Sequence, residues 1–183
     1  MNDSLRLIQI ISDCKRGNHE GFAEIVDLYA TRLYGYFYRL SGNAETSNDL
    51  LSEMFVRLVE KIGTYNSGAF DLWLFKIATN IFYDHLRKQQ RRKKILESHR
   101  QQLKDDLTDV KRSDDEVVDI LQAQLGQIDN QTRELILLRY YSDLSFKEIA
   151  RMRKEPIGTV LSKVHRGLAK LRELMGQQYE KRK

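Results

Sequence analysis

The chain has 183 residues, 41% of them hydrophobic and 31% charged, with a formal net charge of +5. That apolar mass supports one domain or two small ones, and the moderate positive charge favours an anionic partner. A single cysteine, Cys14, excludes an internal disulfide and a cysteine-based zinc site. No apolar run is long enough to span a bilayer and Met1 opens no signal peptide, so no membrane insertion and a cytoplasmic location are expected.

One proline and few strand-like alternations predict an all-α chain. The first helix is expected over residues 4–15, with Leu5, Ile8 and either Ile11 or Leu7 as its apolar side, and it stops at Gly17. A longer helix follows from about His19 to Leu40. Its stripe is Phe22, Ile25, Val26, Tyr29, Leu33, Tyr36, Phe37 and Leu40, and Gly42 is placed as its C-terminal stop. The aromatics recur at helical spacing, which favours plain core over a ligand box.

The third helix is expected over residues 44–62, with Leu51, Phe55, Leu58 and Ile62 inward and Gly63 ending it. Asp49, Glu53 and Glu60 share another side, and the spacing alone gives them no role beyond a solvated face. Tyr65 to Ala69 is a short polar loop. The fourth helix runs from Phe70 to about Lys94 and buries Phe70, Leu74, Ile77 and Ile81, with Trp73 beside them. On its far side Lys76, Asn80, Tyr83 and Arg87 stack at spacings of four, three and four. Cations for phosphates, a ring for stacking and an amide for a base edge suit a single nucleic-acid strand. A solvated face would show the same pattern.

The charge then changes sign. Arg87, Lys88, Arg91, Arg92, Lys93, Lys94, Arg100 and Lys104 face Glu97 alone, after which acids dominate from Asp105 to Asp119. Such a swing marks an exposed connection, and residues 96–112 are read as a flexible charged linker between a unit at 1–95 and another at 113–183. Ser113 with Glu116 forms a capping box for a helix carrying Val117, Leu121 and Leu125 and ending at Gly126. Asp129 or Asn130 caps the next helix, with Leu135 and Leu138 inward.

The stretch from Leu144 to Arg172 reads as a helix-turn-helix. Ser145 and Glu148 make a second capping box, and Leu144 with Ile149 can form a hydrophobic staple. The first helix breaks at Arg153-Lys154-Glu155, and Pro156 sits where the next begins. Val160, Val164, Leu168 and Leu171 make the buried stripe of that second helix. At about 100° per residue, Ser162, Arg166 and Ala169 point away from it, with Lys163, His165 and Lys170 on the flanks. This is the build of a major-groove reader; an ordinary helical hairpin with a basic outer face is the alternative.

No catalytic constellation is present: no Gly-rich phosphate loop, no HExxH, no nucleophile elbow. His19, His85, His99 and His165 are scattered singly. A non-enzyme without cofactor or metal is expected.

Two separate stretches resemble one family together. Asp49-Leu50-Leu51-Ser52-Glu53-Met54-Phe55, then Phe70-Asp71-Leu72-Trp73-Leu74-Phe75-Lys76-Ile77-Ala78-Thr79-Asn80 and Asp84-His85-Leu86-Arg87, resemble region 2 of the extracytoplasmic-function sigma factors of bacteria. Gln131 to Tyr140, Leu144 to Ala150 and Gly158 to Arg166 resemble region 4. The resemblance implies a subunit that binds core RNA polymerase, at its clamp helices and flap, and directs it to promoter DNA. By that resemblance Asp49, Ser52 and Glu53 face the clamp. Lys76, Asn80, Tyr83 and Arg87, with Tyr65 and Asn66 of the loop, hold the melted −10 strand. Thr159, Ser162, Lys163, His165, Arg166 and Lys170 contact the −35 duplex. An anti-sigma factor is a partner the resemblance admits. Two departures stand out: Arg153-Lys154-Glu155 replaces the family's usual Leu-Gly and apolar residue in the turn, and Leu161 stands where a basic residue is common. The rival reading is a stand-alone helix-turn-helix regulator, which would need a sensor or dimerisation domain that residues 1–95 do not offer.

Overall fold

The computed structural model describes residues 3–99 and 116–180, and among these it contains eight α-helices, one short 3-10 turn and no strand. The helices are α1 (Asp3–Lys15), α2 (His19–Ser41), α3 (Ala44–Lys61), α4 (Phe70–His99), α5 (Glu116–Gly126), α6 (Asn130–Tyr140), α7 (Phe146–Arg153) and α8 (Ile157–Glu180), with the 3-10 turn at Ile62–Thr64. The all-α expectation holds. Most of the expected linker at 96–112 and the capping box of Ser113 with Glu116 lie outside the described residues. The linker's first four residues continue α4, because the Gln, Arg and Lys run before them consists of good helix formers.

Side-chain caps set the helix ends. The Asn18 side chain accepts the Glu20 N–H at 2.8 Å to open α2, and Asn43 accepts the Thr46 N–H at 2.8 Å to open α3. Between them Gly42, at φ 71°, closes α2 in the left-handed conformation, its N–H bonded to the Tyr38 carbonyl. Helices α1–α4 enclose Ile25, Leu33, Phe37, Met54, Leu74 and Phe75, all fully buried. Tyr36 is buried with them and its hydroxyl meets that of Thr79 at 2.9 Å. The expected stripe of α2 is buried, except that Val26 is exposed and Phe22 half-buried.

The apolar side of α1 differs from the expected one. Leu5 and Ile8 are 62% and 63% exposed, whereas Ile10, Ile11 and Cys14 are buried. Leu7, Ile10, Ile11 and Cys14 also share one face at offsets of three and four, and that is the face α2 covers. In α3, Leu50, Met54 and Leu58 take the deepest positions, with Leu51 and Phe55 half-buried beside them.

Helices α5–α8 form a second unit around Leu135, Leu138, Ile149 and Val160. Asp129 is the cap of α6, accepting the Thr132 N–H at 2.9 Å. Gly167 brings α8 against α6: a Cβ there would stand 2.3 Å from Thr132 Cγ2 and 2.9 Å from Ile136 Cδ1. The apolar cluster continues without interruption from the first unit into the second.

Candidate nucleic-acid interface

The helix-turn-helix is assembled from its ends. The Ser145 hydroxyl accepts the Glu148 N–H at 3.2 Å, while the Glu148 carboxylate accepts the Ser145 N–H at 2.8 Å and hydroxyl at 2.6 Å. The reciprocal bonds satisfy donors that a helix start leaves open. The Ser145 hydroxyl, then its backbone N–H, hold the Glu148 carboxyl below the usual carboxylate range. Leu144 and Ile149 on either side of the cap are both buried.

Backbone hydrogen bonds and ion pairs hold the turn that follows. Lys154 adopts φ 54° with its side chain exposed, a left-handed conformation that usually falls to Gly or Asn. Glu155 accepts from Lys163 on α8 at 2.7 Å and lies 3.6 Å from the Arg153 guanidinium. These pairs tie the turn to the second helix, while the Glu155 N–H donates to the Ala150 carbonyl at 3.1 Å to close it. Pro156 opens α8, its carbonyl accepting the Thr159 and Val160 N–H groups at 3.0 and 3.2 Å.

On α8, Val160 and Val164 are buried and Leu168 and Leu171 half-buried, while Ser162, Arg166 and Ala169 are exposed on the opposite face. His165 and Lys170 are exposed on the flanks and Thr159 is half-buried. Lys163 is also half-buried, since its ammonium is engaged with Glu155. Leu161 is 42% exposed at the edge of the stripe, an apolar contact among polar ones. A groove of about 340 Å³ opens beside this face, lined by Asp129, Gln131, Thr132, Lys163, Arg166 and Lys170.

On α4, Lys76, Asn80 and Arg87 are exposed and share a face with the half-buried Tyr83. Arg87 pairs with Asp84 one turn away. In the loop before α4 the two expected residues separate. Asn66 is exposed, whereas the half-buried Tyr65 ring packs on Phe70 and Trp73 at centroid distances of 5.3 and 5.5 Å. Its hydroxyl donates to the Gly68 carbonyl at 2.5 Å, so this ring shapes the loop. On α3, Asp49 and Ser52 are exposed, and Glu53 is half-buried with its carboxylate 3.7 Å from Arg57.

Tyr83 is where the two units meet. Its hydroxyl donates to the Glu134 carboxylate at 2.6 Å, and the Arg153 guanidinium lies 3.0 Å from the same carboxylate oxygen and 5.6 Å from the Tyr83 ring centroid. Burial pushes the Glu134 carboxyl above its usual range, with the Tyr83 hydroxyl and the Arg153 charge opposing it. Burial and the Glu134 charge likewise raise the Tyr83 hydroxyl. A cavity of about 470 Å³ lies here, lined by Lys61, Asn80, Tyr83, Asp84, Arg87 and Arg153. Nearby, Arg133 is buried and donates to the Leu40 carbonyl at the end of α2 at 2.8 Å. Glu134 carries little local signal of its burial: it directly precedes the apolar run Leu135 to Leu138, where its neighbours, and not its own type, decide that burial.

Comparison with known proteins gives two family matches, Sigma-70 region 2 over residues 25–92 and Sigma-70, region 4 over residues 119–171. The chain is 30% identical to the ECF RNA polymerase sigma factor SigW of Bacillus subtilis, covering 89% of this chain and 93% of that protein. It is 33% identical to the ECF RNA polymerase sigma factor SigE of Mycolicibacterium smegmatis, covering 84% of this chain and 61% of that protein. In fold it is similar to the sigma factor RpoE of Bartonella quintana, solved in complex with the anti-sigma factor NepR. That likeness has a TM-score of 0.70 at 24% identity over 85% of this chain and 96% of the other.

Proposed function

The chain belongs to the extracytoplasmic-function sigma factors of the sigma-70 family, RNA polymerase subunits that direct promoter-specific initiation, and we propose that its surfaces divide that work as follows. Helix α8 reads the −35 duplex in the major groove, with Ser162 and Arg166 deepest and Thr159, Lys163, His165 and Lys170 at its margins. Helix α4 holds the melted −10 strand: Lys76 and Arg87 take phosphates, Asn80 reads a base edge and Tyr83 stacks, with Asn66 and the Tyr65 loop alongside. Asp49, Ser52 and Glu53 on α3 face basic groups of the polymerase clamp. Residues 1–95 act as the core-binding and −10 unit and residues 113–183 as the −35 unit, joined through 96–112. The protein works in the cytoplasm as a binding subunit without chemistry of its own, and it is open to restraint by an anti-sigma factor.

The observation that carries this reading is one chain presenting two differently built DNA faces. One is the exposed small-polar and basic side of α8; the other is the cation–amide–ring–cation row of α4. A stand-alone regulator has use for the first and none for the second. Run-off transcription with core polymerase from the gene's own upstream region tests it. A discrete transcript that requires the protein is expected, and none with an active core enzyme would refute it.

A further inference from the structure

Two large side chains on the outside of α8 are apolar. Ile157 is 48% exposed and Leu161 42%, and both stand outside the apolar cluster that packs this unit. Four positions apart, they share one edge of the helix, which the exposed His165 continues. At about 100° per residue this edge runs beside Ser162, on the side away from Lys163 and Lys170. The outer face of α8 therefore has an apolar border and a basic one.

A single exposed apolar side chain is ordinary on any protein surface. Two in register beside a DNA-reading face are buried when the duplex arrives, and what they meet is restricted. Neither has a donor for a phosphate, and packing hydrocarbon on a phosphate would strip water from its oxygens without replacing it. Along the base edges of the major groove the apolar group is the C5-methyl of thymine.

We propose that Ile157 and Leu161 are specificity-determining residues that select thymine in the −35 element by packing on its C5-methyl group. The proposal rests on the reading of α8 given above. Recognition helices set their N-terminal residues against base edges, and α8 begins at Ile157, so the pair occupies its first two turns. Gly158 lies between them, exposed, and a Cβ there would meet nothing within 4 Å. No protein contact calls for glycine at that point, whereas close approach of a backbone to a ligand does. One helical turn rises about 5.4 Å and successive base pairs lie about 3.4 Å apart. The two side chains thus reach methyls one or two pairs from each other.

The test uses the full chain and the preferred −35 duplex selected from a library, with each thymine replaced in turn by deoxyuridine, which removes the methyl and keeps the base pair. Burying one such group is worth about fourfold in affinity, so wild type should lose about fourfold at one or two thymines and less than about 1.5-fold at the others. Leu161→Ala should abolish the sensitivity at one of those positions and Ile157→Ala at the other, with far-ultraviolet dichroism confirming wild-type helicity. Because no phosphate contact is removed, Leu161→Ala should leave the salt dependence of binding unchanged. Sensitivity that persists in both alanine variants would come from altered DNA shape and would overturn the proposal. So would a wild-type chain indifferent to every replacement; if Arg166→Ala still weakens binding of the same duplex, α8 remains the reader and only the thymine assignment falls. Should Arg166→Ala also bind as wild type does, the reading of α8 fails and the proposal with it.

Discussion

Arg166 and Lys170 are one turn apart on α8, both exposed, and their replacement by alanine should have different consequences. Arg166 points opposite the buried Val160–Val164 stripe. Its Nε donates to the Ser162 carbonyl of its own helix at 3.3 Å, a weak bond, and it forms no ion pair among the described residues. Swinging onto a base edge costs it only that one weak bond to its own helix. A bidentate bond to guanine discriminates by about 1–3 kcal/mol, so Arg166→Ala should lower affinity for the preferred −35 duplex by about 5- to 150-fold and flatten the preference at one base position. Lys170 lies on the flank, where it is expected to reach a phosphate. Lys170→Ala should weaken all sequences alike and lower the slope of log affinity against log salt by about 0.9. Over a threefold rise in salt, wild type should then lose roughly 2.7-fold more affinity than this variant. The assay is binding of the full chain to a −35 duplex library at several salt concentrations. Equal, sequence-blind losses for the two variants would refute the assignment of the reading face.

Two further outcomes follow from the same geometry. Asp49→Arg with Glu53→Arg should cost several kcal/mol of polymerase binding by setting like charges against basic clamp groups, with little effect on folding because Asp49 is exposed and Glu53 only loosely paired; co-purification with core enzyme at wild-type yield would reject the docking face. Ser145→Ala should destabilise the helix-turn-helix by about 1 kcal/mol. Because Glu148 has a folded pKa below its ordinary 4.5, its contribution is present above that value and is lost as pH falls through the lowered one. Acid unfolding followed by dichroism should therefore lose part of its steepness below pH 4.5 in the Ser145→Ala variant, and an unchanged profile would show that the cap contributes nothing.

Local signals carried most of the fold into the sequence. Gly42 ended a helix, Ser145 with Glu148 began one, and the offsets of Val160, Val164 and Leu168 fixed which side of α8 turned outward. Each depends on residues within one or two turns, where helical geometry leaves few choices. The face of α1 was less legible because Leu5, Leu7, Ile8, Ile10 and Ile11 give two overlapping stripes, and only the packing of α2 selects between them. The row on α4 was legible as a row, but the engagement of its ring was not. Tyr83 and Glu134 are 51 positions apart, and no periodicity relates a tyrosine on one helix to a glutamate on another across a linker. The unusual turn lay between these cases. Its charge was visible, but the pairing of Glu155 with Lys163 and of Arg153 with Glu134 depends on where α8 and α6 arrive.

The central claim, that promoter recognition belongs to the chain together with polymerase, is tested most directly by footprinting the gene's upstream region with the free protein and with the protein bound to core enzyme. The two units pack against each other in the free chain, and the polymerase is expected to supply the separation that lets each reach its own element. Protection spanning both the −35 and −10 elements should appear only when core enzyme is present. Equal protection of both elements by the free protein would contradict the account and favour a stand-alone regulator.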